Sequence, residues 1–139
     1  MKITALVQNR GTDHRVTVDT DGKAQHLAIG AKTSGPGSGV NGGEFLMLAL
    51  ATCYCNDVYR EAARLGIPVD SVEVEAQADF LGVGLAATNI TYRARVGSPA
   101  SAAEIAELLR QTDAVAEVHN TVRAGVGVAL LPWSKSQRS

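Results

Sequence analysis

The feature that most constrains the fold is the segment Glu44–Leu65, which contains neither glycine nor proline. Asn41 and Glu44 have the spacing of a capping box, in which each side chain bonds the backbone of the other residue. Gly66, which is followed by Ile67 and Pro68, is a normal C-terminal stop. The segment therefore predicts a helix of about six turns.

The two halves of this predicted helix differ in character. Phe45–Cys55 is apolar nearly all round, whereas Asn56–Arg64 carries two acidic and two basic residues. A helix that is apolar on every side needs burial on every side. One small domain seldom surrounds a helix so fully, so we expect a partner subunit to cover it.

Strands and shorter helices are predicted on both sides of the long helix. The expected elements are a β-meander over 3–29 with a turn at Asp21-Gly22, a β-hairpin from 71–80 and 90–96, a helix beginning at Ser98 or Ser101, a short helical piece over 115–122, and a final strand over 126–130. We expect one domain over residues 1–133, followed by a polar tail at 134–139.

Composition and charge exclude several function classes. The 139 residues are 45% hydrophobic and 19% charged, which is typical of a globular domain. The formal net charge of −1 leaves no basic surplus for a phosphate backbone, so we expect no nucleic-acid partner. The first residues are too polar for a signal peptide, and no polybasic membrane anchor is present. We expect a cytoplasmic protein that does not bind membranes.

A loop rich in glycine precedes the helix. Residues 32–43 contain five glycines, and those at 37, 39 and 42 match the pattern G-x-G-x-x-G. A dinucleotide site would need a parallel strand directly before the loop, and the alternating strands instead suggest antiparallel pairing. Two other interpretations stay open, namely a flexible loop and a substrate or anion lip at the helix N-terminus.

The two cysteines, Cys53 and Cys55, are the most chemically suggestive residues. Positions two apart on a helix point about 200° from each other, so the two sulfurs cannot bind one ion or bond to each other. Only three histidines are present elsewhere, and we expect no metal site. On residues alone, the preferred interpretation of Cys53 is a small buried hydrophobe. His119 could support a thiolate, but a surface or cap position is expected for it.

The segment Gly42–Val58 resembles the signature of the OsmC/Ohr family of osmotically induced and organic-hydroperoxide-resistance proteins. That signature is a glycine-rich loop, an acidic residue and Leu/Ala-rich turns that lead to a helical cysteine. The resemblance implies an intertwined α+β homodimer without cofactor. It also implies reduction of organic hydroperoxides by a cysteine that an N-terminal arginine activates, and that a second cysteine then resolves.

Carried over by position, the resemblance implies that Cys53 attacks the peroxide and that Arg10 activates it, with Arg15 as the alternative. Glu44 and Gly43 would then line the binding site. The acidic residue of typical hydroperoxidases falls at Gly43, and Glu44 comes one position later, as in other OsmC-like branches.

The second cysteine of typical members is missing, because residues 116–122 contain no thiol. Cys55 lies on the opposite helix face, and its pairing across a dimer axis stays open. Two hypotheses follow. One is a hydroperoxide reductase that uses an external thiol, and the other is a binding protein for a small apolar or acidic ligand without redox turnover.

Overall fold

A computed structural model describes residues 1–133, and the predicted tail at 134–139 lies outside the described residues. The elements in chain order are β1 (Ile3–Arg10), β2 (Asp13–Thr20), β3 (Lys23–Leu27), α1 (Gly42–Leu65), β4 (Ser71–Asp79), β5 (Thr88–Gly97), α2 (Ala102–Val115) and α3 (Glu117–Ala124). They form two compact units. Unit 1 comprises Met1–Leu48 and Asp79–Thr88, and unit 2 comprises Ala49–Ala78 and the chain from Asn89 onward.

Unit 1 contains the predicted meander. Strands β1, β2 and β3 form an antiparallel sheet in that order, with Ile3 opposite Thr20 at one end and Arg10 opposite Asp13 at the other. Asp21 and Gly22 both have positive φ, 50° and 87°, as expected for a two-residue hairpin turn. This strand order is incompatible with a dinucleotide fold, which requires parallel strands.

The glycine-rich segment is a loop, as predicted. An isolated antiparallel bridge between Ala31 and Ser38 closes it, and Gly37 donates its N–H to the side-chain oxygen of Asn9 at 3.2 Å. Gly35 and Gly37 have φ of 79° and 115°, which side chains rarely adopt. The loop is thus held to the end of β1.

Helix α1 begins and ends with the predicted caps. The Glu44 N–H donates to Asn41 Oδ1 at 2.8 Å, and the Asn41 N–H donates to Glu44 Oε1 at 3.0 Å, which is the reciprocal pair of a capping box. Gly66 has φ of 70°, and the Ile67 N–H donates to the Ala62 carbonyl at 2.9 Å.

Unit 2 holds the main apolar core. Its fully buried members come from α1 and α2, and they are Tyr54, Val58, Ala62 and Leu108. Strands β4 and β5 pair with each other and contribute alternate side chains to the same core. Ion pairs join Glu73 to Arg95 and Glu75 to Arg93 on the exposed face. These pairs run in opposite chain directions, so the hairpin is antiparallel, as predicted.

Both short helices of unit 2 are confirmed. Helix α2 is capped by Ser101, whose hydroxyl accepts the Glu104 N–H at 3.1 Å. Helix α3 ends at Gly125, which has φ of 61°. The sequence offered Ser98 and Ser101 as starts of α2, and Ser101 is the residue that caps it.

The predicted final strand is wrong. Residues 126–133 have no regular secondary structure, and the side chains of Val128 and Leu130 are 100% exposed. Alternation indicates which face of a strand is apolar, but a strand also needs a neighbour to pair with. Within residues 1–133 this segment pairs with none.

Along α1, the more apolar part of the helix is the less buried part. We call residues 42–53 the apolar half and residues 54–65 the charged half. Leu50 is the one fully buried residue of the apolar half, and Leu48 is 56% exposed. The charged half has five fully buried residues, which are Tyr54, Asp57, Val58, Glu61 and Ala62. The expectation that the apolar half is buried on every side is therefore not met within the single chain.

Candidate functional site

Cys53 lies at the junction of the two halves of α1 and is partly buried. Its Sγ donates a hydrogen bond to Oδ2 of Asp57 at 3.6 Å. Residues four apart on a helix lie on the same face, so the helix itself places this carboxylate beside the thiol. Asp57 is only 6% exposed, and its carboxylate is therefore largely shielded from water.

The start of α3 approaches the same sulfur. The backbone N–H of Val118 donates a hydrogen bond to Cys53, and the neighbouring Glu117 acts on the thiol electrostatically. The Cys53 sulfur and one carboxylate oxygen each from Asp57 and Glu117 all lie within 4.8 Å of one another. The thiol thus has a hydrogen-bond donor and two carboxylates as neighbours in unit 2.

Arg60 forms ion pairs with both carboxylates. Its Nη1 lies 3.0 Å from Asp57 Oδ1 and 3.8 Å from Glu117 Oε1. Burial opposes the charge of Arg60, but the two carboxylates raise its pKa above the ordinary value. The Cys53 thiol and the carboxylates of Asp57 and Glu117 lie close enough together to bind a metal ion. Arg60, however, already supplies a positive charge beside the carboxylates. The thiol thus lies beside carboxylates that are paired with an arginine, and the absence of a metal stays a prediction.

The pKa of the Cys53 thiol is raised above its ordinary value. Burial is the largest cause, and the charges of Asp57 and Glu117 and the hydrogen bond to Asp57 act in the same direction. The Val118 N–H opposes them and lowers the pKa. Because only the thiolate is a strong nucleophile, these neighbours hold Cys53 mainly in its unreactive form at neutral pH.

A buried polar cluster lies next to this site in unit 2. His119 is 3% exposed, and neither ring nitrogen has a hydrogen-bond partner among the described residues. Its ring packs against Tyr54 and Tyr92, with centroids at 5.8 and 4.5 Å. The predicted surface or cap position is wrong, because two tyrosines from α1 and β5 cover the ring. Burial lowers the pKa of His119, and the charge of Arg123 lowers it further. The charges of Asp113 and Asp57 act in the opposite direction.

Tyr92 and Arg123 fix the carboxylate of Asp113 in this cluster. Tyr92 donates its hydroxyl hydrogen to Asp113, and Arg123 Nη2 lies 2.6 Å from the same oxygen. Burial opposes ionisation of Asp113, but these two hydrogen bonds lower its pKa overall. Burial and the Asp113 charge raise the pKa of Tyr54 to about 12. The cluster is therefore a neutral histidine beside a fixed ion pair.

The other residues predicted for the site belong mostly to unit 1. Arg10 is the last residue of β1 and Arg15 lies in β2, where both are exposed. Glu44 forms the capping box, and Gly43 packs against the ring of Phe80, which a Cβ would meet at 3.1 Å. Their roles toward Cys53, which is in unit 2, stay predictions.

Three of the residues that surround the thiol were not predicted from the sequence. Asp57 could have been found, since it follows Cys53 by one helical turn and the two must share a face. Glu117 and the Val118 N–H come from a separate helix, and no local pattern connects them to Cys53. Cys55 is also partly buried, and the structure contains both cysteines as free thiols.

The fold is similar to that of known proteins. A family model described as OsmC-like protein matches residues 35–130, and no curated protein matches the sequence. An OsmC-like protein from Mycoplasma pneumoniae has a solved structure that is similar with a TM-score of 0.61 at 20% identity, over 88% of this chain and 86% of that one.

Two further solved structures are titled as organic hydroperoxide resistance proteins. That from Legionella pneumophila has a TM-score of 0.57 at 18% identity, over 86% of this chain and 89% of that one. That from Elizabethkingia anophelis has a TM-score of 0.56 at 14% identity, over 88% and 91%. At such identities the likeness concerns the fold.

Among the described residues, no helix combines the length and the apolar character that crossing a bilayer requires. The family match extends over more than half of the sequence and includes the whole of α1 with Cys53. The similarity in fold to the solved structures extends over most of the chain. The chain belongs to the OsmC-like family.

Proposed function

We propose that this protein reduces organic hydroperoxides through Cys53 and uses an external thiol to regenerate the cysteine. The observation that carries the proposal is a partly exposed thiol with a hydrogen-bond donor, Val118, and a carboxylate, Asp57, both directed at its sulfur. The similarity to two organic hydroperoxide resistance proteins supports this choice of substrate class.

The chemistry consists of three steps. The Cys53 thiolate attacks one peroxide oxygen, the O–O bond breaks, and the products are a cysteine sulfenic acid and an alkoxide, which takes up a proton to become the alcohol. An external thiol then attacks the sulfenic sulfur and releases water, and a second thiol equivalent reduces the resulting mixed disulfide. The external thiol replaces the second cysteine that residues 116–122 lack.

Arg10 is proposed as the residue that favours the thiolate, with Arg15 as the alternative. The carboxylates beside Cys53 raise its pKa, so a further cation would be needed for rapid turnover at neutral pH. Replacing Arg10 with Ala is expected to lower the rate of Cys53 oxidation, while Arg15→Ala changes it little. A larger loss of rate in Arg15→Ala than in Arg10→Ala would assign the role to Arg15. Glu44 and Gly43 remain the proposed binding residues.

A homodimer is the proposed assembly. Leu48 in the apolar half of α1 and the segment 126–131 expose large apolar side chains in the single chain. Large apolar side chains exposed in this way are typical of interaction sites in soluble proteins. Analytical ultracentrifugation should show a dimer at micromolar concentration, and a monomer there would contradict the proposal. The cytoplasmic location expected from the sequence stays a prediction.

The decisive experiment measures consumption of cumene hydroperoxide with a dithiol reductant. Wild-type protein should turn over, and Cys53→Ser should reduce the rate to the level without protein. The matched control is Cys55→Ser, which removes a thiol two residues away on the other side of the helix and should retain turnover. Equal rates for wild type and Cys53→Ser would contradict the assignment of Cys53 as the reacting thiol.

A small-ligand-binding protein without redox turnover is the second candidate. The raised pKa of Cys53 and the two carboxylates beside it favour this candidate, since they hold the thiol in its unreactive form. It predicts a copurified ligand in native mass spectrometry or a thermal shift with an apolar or acidic compound. It also predicts that no thiol is consumed when hydroperoxide is added.

A further inference from the structure

The two oxygens of the Asp57 carboxylate have different partners. Oδ2 accepts the hydrogen bond from the Cys53 thiol at 3.6 Å, and Oδ1 lies 3.0 Å from Nη1 of Arg60. The carboxylate is almost completely buried, so water competes little for either oxygen. Arg60 thus fixes a carboxylate whose remaining oxygen faces the reacting sulfur.

We propose that Asp57 takes the proton from the Cys53 thiol when the sulfur attacks the peroxide, and returns the same proton to the departing alkoxide. The S–O bond forms as the O–O bond breaks, the sulfur is oxidised to the sulfenic acid, and the peroxide is reduced to the alcohol. Arg60 is a positioning residue, which holds Asp57 in place. This inference rests on the proposed function and assigns the proton transfer within it.

The site also contains a hydrogen-bond donor that can stabilise a negative charge on the Cys53 sulfur. The Val118 N–H donates to the sulfur from the first turn of α3, where the helix dipole favours an anion. The proton therefore leaves toward Asp57 while the charge on sulfur is stabilised from a different element. An alkoxide is a poor leaving group without a proton, and a positioned acid typically contributes about 100-fold or more to such a step.

The proposal predicts opposite effects of one substitution on two reactions. The Asp57 carboxylate raises the pKa of the thiol, so Asp57→Asn should increase the thiolate fraction at neutral pH. Alkylation by iodoacetamide depends on that fraction alone, because iodide leaves without a proton. Peroxide reduction also needs the returned proton, which Asn cannot supply.

The experiment compares single-turnover rates at pH 7 for iodoacetamide and for cumene hydroperoxide. In Asp57→Asn, alkylation of Cys53 should become about threefold faster or more. Its oxidation by cumene hydroperoxide should become about 100-fold slower. If both rates rise, Asp57 acts on the thiol only through its charge, and the proposal is overturned. If neither rate changes, it is overturned as well.

Glu61→Gln is the matched control. Glu61 is an equally buried carboxylate one turn further along α1, and its main partner is Arg64 at 3.1 Å. This variant should leave both rates near those of the wild type, and a loss of peroxide reduction equal to that of Asp57→Asn would attribute the effect to general disturbance of the helix.

A second measurement uses the unmodified protein and so does not depend on the folding of a variant. Below the pKa of the thiol, the alkylation rate should rise about tenfold for each pH unit, as the thiolate fraction does. Oxidation by cumene hydroperoxide should rise less steeply, because the proton stays within the Cys53–Asp57 pair. Parallel profiles would overturn the proposal.

Failure of the proposed function is distinguishable from failure of this inference. If wild-type Cys53 does not react with cumene hydroperoxide at any pH, the hydroperoxide assignment and the proton return both fall. If wild type reacts and Asp57→Asn reacts equally fast, only the inference about Asp57 is overturned.

Discussion

The apolar half and the charged half of α1 differ in burial in the direction opposite to their compositions. The charged half packs Tyr54, Val58 and Ala62 against Leu108 of α2, and its buried carboxylates pair with arginines of the same helix. The apolar half has one fully buried residue and leaves Leu48 mostly exposed. An apolar composition thus indicates a surface that is expected to be buried. Whether it is buried depends on the contacts that the rest of the chain makes with it.

The comparison also explains where the reactive thiol lies. Cys53 is the last residue of the apolar half, and its carboxylate partner Asp57 belongs to the charged half. Buried acidic groups are tolerated there because Arg60 and Arg64 neutralise them. The thiol is therefore at a boundary between a fixed polar network and an uncovered apolar surface.

The largest expected effect contrasts one leucine from each environment. Leu108→Ala empties a fully buried site under the charged half and should lower the free energy of unfolding by about 3 kcal/mol. Leu48→Ala removes a mostly exposed side chain and should cost less than about 0.5 kcal/mol when it is measured at protein concentrations below the dimer Kd, so that loss of association does not contribute. Urea unfolding measures both values. Similar losses for the two variants would break the comparison.

The next prediction concerns association through the apolar half. Leu48→Arg places a charge on the surface that we propose a second copy covers, so the dimer Kd should rise about tenfold or more, which is about 1.4 kcal/mol. Sedimentation over a dilution series gives the Kd. The control is Ala63→Arg, which adds the same charge at an exposed position of the charged half. A dimer that tolerates Leu48→Arg must use another surface.

A smaller effect is expected at the start of the apolar half. Asn41→Ala removes the oxygen that caps the Glu44 N–H, and it should destabilise the protein by about 1 kcal/mol. Hydrogen exchange should show the loss in the first turns of α1 and leave the charged half protected. Uniform loss of protection along the helix would mean that its two halves unfold together.

The smallest effect is a pH dependence from the buried histidine. The pKa of His119 in the folded protein lies below its ordinary value of about 6.5, so the unfolded chain binds more protons near and below that pH. The stabilisation is complete above pH 6.5 and is lost as the pH falls below it. Urea midpoints at pH 7.5 and 5.5 should differ less in His119→Leu than in wild type. Equal differences would contradict the burial of a neutral ring.

Local patterns predicted the elements that local interactions determine. The capping box, the stop at Gly66 and the turn at Asp21-Gly22 depend on neighbours within a few residues, and all three are confirmed. The same is true of the Ser101 cap of α2. The family resemblance, which depended on the sequence around Cys53, is confirmed by the match over residues 35–130.

The failures all depend on contacts between distant parts of the chain. The alternation over 126–130 indicates a strand but cannot supply the strand that would pair with it. His119 is polar by residue type, yet Tyr54 and Tyr92, distant in sequence, cover it. Around Cys53, the partner on the same helix was predictable in principle, whereas Glu117 and Val118 reach the thiol only through the packing of α3.

The contact between Gly43 and Phe80 limits how this protein could be redesigned. An acidic residue at position 43 would match typical hydroperoxidases of the family, but its first side-chain carbon would lie 3.1 Å from the Phe80 ring. Introducing that acid therefore requires the Phe80 ring to shift by a few tenths of an ångström, and the double variant Gly43→Glu with Phe80→Ala would remove this contact. In the single variant Gly43→Glu, a change in activity would report on the contact with Phe80 as well as on the added carboxylate.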